Sequence, residues 1–205
     1  PGLSVFVTNP ISLHPQGPAQ ERALIAFSGG FLLNTGLPNP GYNAVLRKYT
    51  HIWEQAPIMI CPHIIASYPD ITVSMIKGLE DLKNIGAIEI GIDLESSTDI
   101  INQHIHAAKG ELPIILSIPI ERVYEDWVFQ LESKGISAIS LQPQHGMLKN
   151  KQTQKFVSGR LYGRNQLAVT LQAVNRLKDT HLPVFAGVGL GHLDEVQQLF
   201  DSGAY

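Results

Sequence analysis

A single cysteine, Cys61, occurs in the 205 residues. No disulfide framework can therefore form within the chain, and a reducing, cytoplasmic location is the expectation. Charge is also scarce: 16% of residues are charged, with 15 basic against 18 acidic, giving a net charge of −3. This balance argues against nucleic-acid binding, because there is no cationic excess to neutralise phosphates. No apolar run reaches the roughly 18–20 residues that a helical membrane span requires, and no signal peptide is visible. A disordered chain is excluded as well, since 44% of residues are hydrophobic. What is plentiful is punctuation, with 18 Gly and 13 Pro. The length suits one substantial core, so residues 1–205 are expected to form a single domain. The Pro1-Gly2 start and the Ser-Gly-Ala-Tyr end suggest truncation at both ends.

Short apolar, β-branched runs alternate with segments of helical period. The strand candidates are Ser4–Val7, Pro57–Cys61, Ala87–Ile92, Pro113–Ile118, Ser137–Leu141 and Pro183–Gly187. Most are apolar on both faces, as buried parallel strands are. Between them lie amphipathic stretches at Tyr42–Gln55, Asp70–Asn84, Ser97–Lys109, Glu121–Lys134, Arg164–Asp179 and His192–Asp201. Asp70 and Thr98 are placed as helix caps, and Gly86, Gly135 and Gly203 stand where helices should end. Alternating βα units predict a parallel sheet with helices outside. An eight-fold barrel usually takes about 250 residues and eight strands. Six candidates fit either an open doubly wound sheet or a barrel missing its first and last strands.

Four places carry chemistry-bearing residues. Asn34-Thr-Gly-Leu-Pro-Asn-Pro-Gly41 fixes a loop that would hold the Asn39 amide towards a ligand, or else serves as a helix-leading turn. Phe185-Ala-Gly-Val-Gly-Leu-Gly191 ends a strand and opens a helix. Its glycines, Gly187 and Gly189 among them, would admit one phosphate to backbone N–H groups, or form a plain tight turn. Ser158-Gly-Arg-Leu-Tyr-Gly-Arg164 frames two arginines that either meet an anion or lie solvated on a loop. Asp93 and Glu95 follow a buried strand and are the candidate acid–base groups, unless they only favour the next helix N-terminus. The eight histidines form no zinc pattern. Gly-x-Ser-x-Gly, Walker and Cys-x-x-Cys motifs are absent.

The order of five segments resembles the dihydroorotate dehydrogenase family. These are Asn-Thr-Gly-Leu-Pro-Asn-Pro-Gly (34–41), Ala-Ile-Glu-Ile (87–90), Leu-Pro-Ile-Ile-Leu-Ser (112–117), Gly-Arg-Leu-Tyr-Gly (159–163) and Leu-Pro-Val-Phe-Ala-Gly-Val-Gly-Leu (182–190). The resemblance runs over nearly the whole chain, and Gly-Leu-Pro-Asn-Pro-Gly is its most specific piece. It implies an FMN-binding (β/α)8 TIM barrel that passes a hydride from dihydroorotate to flavin, here lacking its first and last strands. On this reading Asn39 matches a substrate-binding asparagine. Gly159 and Gly163 match a flavin loop, and Gly187 and Gly189 belong to the phosphate-binding turn.

The departures from that pattern share a physical meaning. The catalytic base aligns with Leu94 and its flanking asparagines with Gly91 and Ser96. The flavin lysine aligns with Ser117, an early Thr-Lys appears as Thr8-Asn9, and a later Asn pair appears as Pro143-Gln144. Leucine cannot take a proton. Neither Asn9 nor Ser117 can supply positive charge beside a reduced flavin. The expected function is thus a divergent pseudoenzyme without dihydroorotate oxidation, keeping a weak FMN or phosphate site or acting as a structural subunit. The alternative is an active FMN oxidoreductase on another substrate, with Asp93 or Glu95 as acid–base group. The expected partners are a small-molecule ligand or a protein, in a homo-oligomer or a larger complex. A phosphosugar-type barrel enzyme without flavin ranks last, because no lysine sits inside any expected strand.

Overall fold

The computed structural model describes residues 4–65 and 67–205, so the Pro1-Gly2 start lies outside the described residues. The first elements among them are β1 (Val5–Val7), β2 (Ile11–Ser12), β3 (Ala23–Phe27), β4 (Gly30–Asn34) and α1 (Tyr42–Glu54). There follow β5 (Met59–Cys61), β6 (His63–Ile65), α2 (Pro69–Glu80), β7 (Ile88–Gly91), α3 (Thr98–Ala107) and β8 (Ile114–Pro119). The last are β9 (Ala138–Gln142), β10 (His145–Lys149), β11 (Phe156–Tyr162), α4 (Leu167–Leu177), β12 (Val184–Phe185) and α5 (Leu193–Asp201).

These strands form three sheets, two parallel and one antiparallel, and no barrel closes among the described residues. The expected (β/α)8 barrel is therefore corrected to a mixed α/β fold with five α-helices among the described residues. Two local causes are visible. First, the stretches between the expected βα units build an antiparallel sheet, β3–β4–β11–β10. Second, the expected helix over Glu121–Lys134 is three short 3-10 turns, at Ile120–Arg122, Asp126–Gln130 and Glu132–Lys134. Its backbone bonds step by three residues, from Val123 to Ile120, Glu125 to Arg122, Val128 to Glu125 and Leu131 to Val128. The Glu125 carboxylate accepts from Arg122 Nε at 2.7 Å and from Trp127 Nε1, which draws this short stretch into tight turns.

The chain divides into two compact units. Among the described residues the first comprises 4–17, 37–65, 67–117 and 133–137. In it β2, β6, β7 and β8 lie side by side and parallel, and β1 pairs with β5. Period-two alternation sorts the strands' side chains. Ile64, Ile90 and Leu116, all fully or almost fully buried, share one face. The other face carries His63, Glu89 and Ile115, then Ile65, Gly91 and Ser117 one step further along. Helix α3 starts where Ser97, not Thr98, caps it: the Ser97 hydroxyl accepts from the Ile100 N–H at 3.3 Å. Helix α2 begins at Pro69, with Asp70 in its first turn. The left-handed residue after α2 is Asn84 (φ 64°), not Gly86. Its Nδ2 donates to the carbonyls of Trp53, Ala56 and Ile58 at 2.8–3.1 Å, which fixes the path from α1 into β5.

The second unit comprises residues 18–36, 118–132 and 138–205. Here β9 and β12 pair in parallel, and β3–β4 is a hairpin closed by Ser28 and Gly29 (φ 92°). The hairpin's β4 also pairs with β11, so the backbones of these two strands run close together. Leu32, Ile139, Val174, Leu177 and Val184 form its buried apolar centre.

Candidate functional site

Each unit holds one arrangement of polar groups at strand ends. In the second unit, the glycine-rich turn after β12 leads into α5. A turn of this kind presents backbone N–H groups that suit an anion. Here the anion comes from the chain itself. Glu195, third residue of α5, reaches back so that its Oε2 accepts from the N–H of Gly191 and from that of His192 at 2.8 Å. Its Oε1 takes Arg164 Nη2 at 2.6 Å and Nε at 3.2 Å. The Arg164 guanidinium first, and then the Gly191 N–H, hold the Glu195 carboxyl down at about 2.

The four glycines that the sequence points to as ligand contacts fall in this unit. Three of them are accounted for by close backbone approach. A side chain at Gly159 would stand 2.6 Å from the Leu33 carbonyl oxygen, across the β11–β4 pairing. One at Gly163 (φ 140°) would stand 2.1 Å from the Gly29 carbonyl oxygen. One at Gly189 (φ 90°) would stand 2.4 Å from the Leu167 N. Gly187 alone of the four faces open space. Arg160, the other arginine of the expected anion loop, donates to Gln142 Oε1 at 3.2 Å.

In the first unit, the Asn39 amide turns inward. Its Oδ1 accepts from Ser12 N at 3.2 Å, Ser12 Oγ at 3.0 Å and Gly41 N at 3.0 Å, while Nδ2 donates to the Leu37 carbonyl at 3.2 Å. Asn39 thus ties its loop to the end of β2 and holds Leu37 in the left-handed region (φ 53°), a strained conformation for leucine. Beside it a cavity of about 250 Å³ opens at the ends of β2, β6 and β7, lined by Ser12, Ile65, Gly91, Asp93 and Ser96 among others. Asp93 thus lies at a cavity, whereas Glu95 is exposed on the same loop. His104 also lines the cavity; its Nδ1 is 2.7 Å from Thr72 Oγ1, and burial lowers its pKa against the pull of Asp93.

The residues that sequence reasoning passed over are His63 and Glu89. Both are buried, they stand opposite one another on β6 and β7, and His63 Nδ1 is bonded to Glu89 Oε1. Thr8 Oγ1 accepts the His63 backbone N–H at 3.0 Å. His63 Nε2 packs against Gly91, where a Cβ would be 2.7 Å away. The signal was present as a histidine inside the apolar run Ile60-Cys-Pro-His-Ile-Ile65, but Pro62 hid the run's continuation as a second strand.

No known family model and no curated protein matches the chain. The functional reading therefore stands on the geometry and chemistry of these two arrangements. Among the described residues, no group of three or more His, Cys, Asp or Glu is placed to hold a metal ion. No helix among them is long and apolar enough to cross a membrane.

Proposed function

We propose that this chain is a divergent relative of dihydroorotate dehydrogenase that has lost dihydroorotate oxidation and works as a binding or structural subunit. The observation that carries this reading is the Glu195 carboxylate in the glycine-rich turn, bonded to two backbone N–H groups and to Arg164. A flavin phosphate would meet a like charge there and would have to displace an ion pair, so these residues do not fit FMN. Two further observations agree. Gly159 and Gly163 are required by the packing of β4 and its hairpin turn against β11, which explains them without a cofactor. Leu94 and Ser117, standing where the resemblance expects a base and a lysine, can neither abstract a proton nor offset negative charge on a reduced flavin.

One observation favours the alternative, an FMN oxidoreductase on another substrate: Asp93 lines the 250 Å³ cavity and has a carboxylate to offer as an acid–base group. The visible absorption spectrum of the purified protein, before and after release of any cofactor by denaturation, separates the two readings. The expected result is a colourless protein whose supernatant contains no flavin. A stoichiometric flavin spectrum overturns the subunit reading and makes the oxidoreductase the one to pursue.

A further inference from the structure

The antiparallel sheet of the second unit ends in β10 on one side and β3 on the other. An end strand leaves a row of backbone N–H and C=O groups open to another chain, and proteins blunt such edges with charge, proline or a cover. The β10 edge is blunted: Glu121 Oε1 accepts the His145 N–H, and the exposed Lys149 stands at the strand's last position. The β3 edge is not. It reads Ala23-Leu-Ile-Ala-Phe27, without charge or proline, and its one neighbour among the described residues is β4.

The β3–β4 register shows which backbone groups are open. The two-residue turn closes on Phe27 and Gly30, so that pair is hydrogen-bonded, and Ile25 and Ala23 follow in phase. The N–H and C=O groups of Leu24 and Ala26 therefore point away from β4. The side chains of both are exposed as well, Leu24 by 69%.

A second copy of β3 matches this edge at every position. With the two strands antiparallel about a two-fold axis beside Ile25, Leu24 of each copy lies opposite the partner's Ala26, so each open N–H meets an open C=O. Ile25 then faces the partner's Ile25, and Ala23 the partner's Phe27, which keeps apolar residues together on both faces. On the exposed face, the row Leu33, Leu24 runs on into the partner's Ala26 and the partner's Phe31. Charge does not oppose the pairing, since Glu21 and Arg22 fall opposite the partner's Gly29 and the partner's Ser28. Such pairing uses both β3 edges and leaves only the blunted β10 edges, so assembly stops at two.

We propose that the chain forms a two-fold dimer in which β3 pairs antiparallel with its own copy about Ile25, joining two four-stranded sheets into one. The dimer is independent of the flavin question, because β3 carries none of the residues on which that question turns.

Sedimentation velocity on the whole chain tests this. A strand edge is a small interface, so the wild type is expected to pass from monomer to dimer between about 1 and 100 µM. Leu24→Lys puts a charge on the edge, and Ala26→Pro removes an N–H that points away from β4. Each is expected to weaken dimerisation at least about tenfold and to leave the monomer's circular dichroism unchanged. Oxidative cross-linking reads the register, with the native Cys61 buried. Ile25→Cys, about 4.5 Å from its copy between Cα atoms, is expected to link rapidly, and Leu24→Cys, which faces Ala26 instead of itself, is not. A wild type that stays monomeric at about 100 µM overturns the proposal. So does a dimer that both edge variants leave intact, or a species that keeps growing beyond two copies. Failure of Ile25→Cys to link, or equally fast linking at Leu24→Cys, overturns the register and the two-fold pairing with it.

Discussion

The two polar arrangements use a glutamate in opposite ways. In the second unit, Glu195 satisfies the turn's own donors, so the groups that would take an outside anion are spent within the chain. In the first unit, Glu89 bonds Nδ1 of a buried histidine ring whose Nε2 packs against Gly91. Their surroundings differ too. The Arg164 side chain is 63% exposed, whereas those of His63 and Glu89 are 11% and 7% exposed. Water screens the arginine of the first pair but not Glu195, whose side chain is 9% exposed, whereas both members of the second are buried. The lesson is that a carboxylate beside backbone donors closes an anion site, while a carboxylate beside a buried imidazole meets that ring's polar need within the sheet.

The largest effect expected from this comparison is at Gly163. If the second unit's glycines serve strand packing, Gly163→Ala, whose Cβ would strike the Gly29 carbonyl at 2.1 Å in a left-handed conformation, should cost about 3 kcal/mol or more in chemical denaturation. Gly187→Ala, with open space around it, should stay within about 0.5 kcal/mol. Equal costs at the two positions would break the packing account. Next in size is Glu89→Ala, which strands the buried His63 Nδ1 without its partner. It should destabilise by about 1–3 kcal/mol in the same assay, and a neutral result would remove the pair from any role.

A smaller effect is expected from pH. The Glu195 carboxyl lies at about 2 when folded against an ordinary value of 4.5. Its depressed value means that it favours the folded state fully above about 4.5, and that this contribution is lost as pH falls towards 2. Glu195→Gln should therefore flatten part of the stability–pH slope in that window, read by thermal melting, and leave the profile above it parallel to that of the wild type. The smallest signal belongs to Cys61. Burial first, and then the Glu89 charge, push its thiol up to about 12. It should resist alkylation in the native protein at pH 8, and brisk labelling would mean that the strand face around Glu89 opens to solvent.

Much of the parallel framework was legible in the sequence. Ile88–Gly91, Ile114–Pro119 and Ala138–Gln142 lie within a residue of the apolar runs that announced them. What misled was counting only βα units. The β3–β4 hairpin has its own signal, Ala-Leu-Ile-Ala-Phe then Ser-Gly-Gly, but an antiparallel hairpin has no place in a repeating βα series. The stretch over Glu121–Lys134 has apolar residues at helical spacing. Its departure into 3-10 turns goes with the bonds of Arg122 and Trp127 to Glu125, which no periodicity reveals. At the sites, the glycine turn was visible as a phosphate-type motif. That Glu195 would fill it depends on a capping geometry read only in three dimensions. His63 and Glu89 stand apart in sequence and become neighbours only through the β6–β7 register.

The closed turn is the centre of this account, and a paired titration tests it most directly. FMN is added to the wild type and to Glu195→Ala, and binding is followed by quenching of flavin fluorescence. The account predicts no binding by the wild type, and binding by the variant, whose Arg164 and N–H groups of Gly191 and His192 are released. Saturable, stoichiometric binding by the wild type, undiminished by the presence of Glu195, would contradict it.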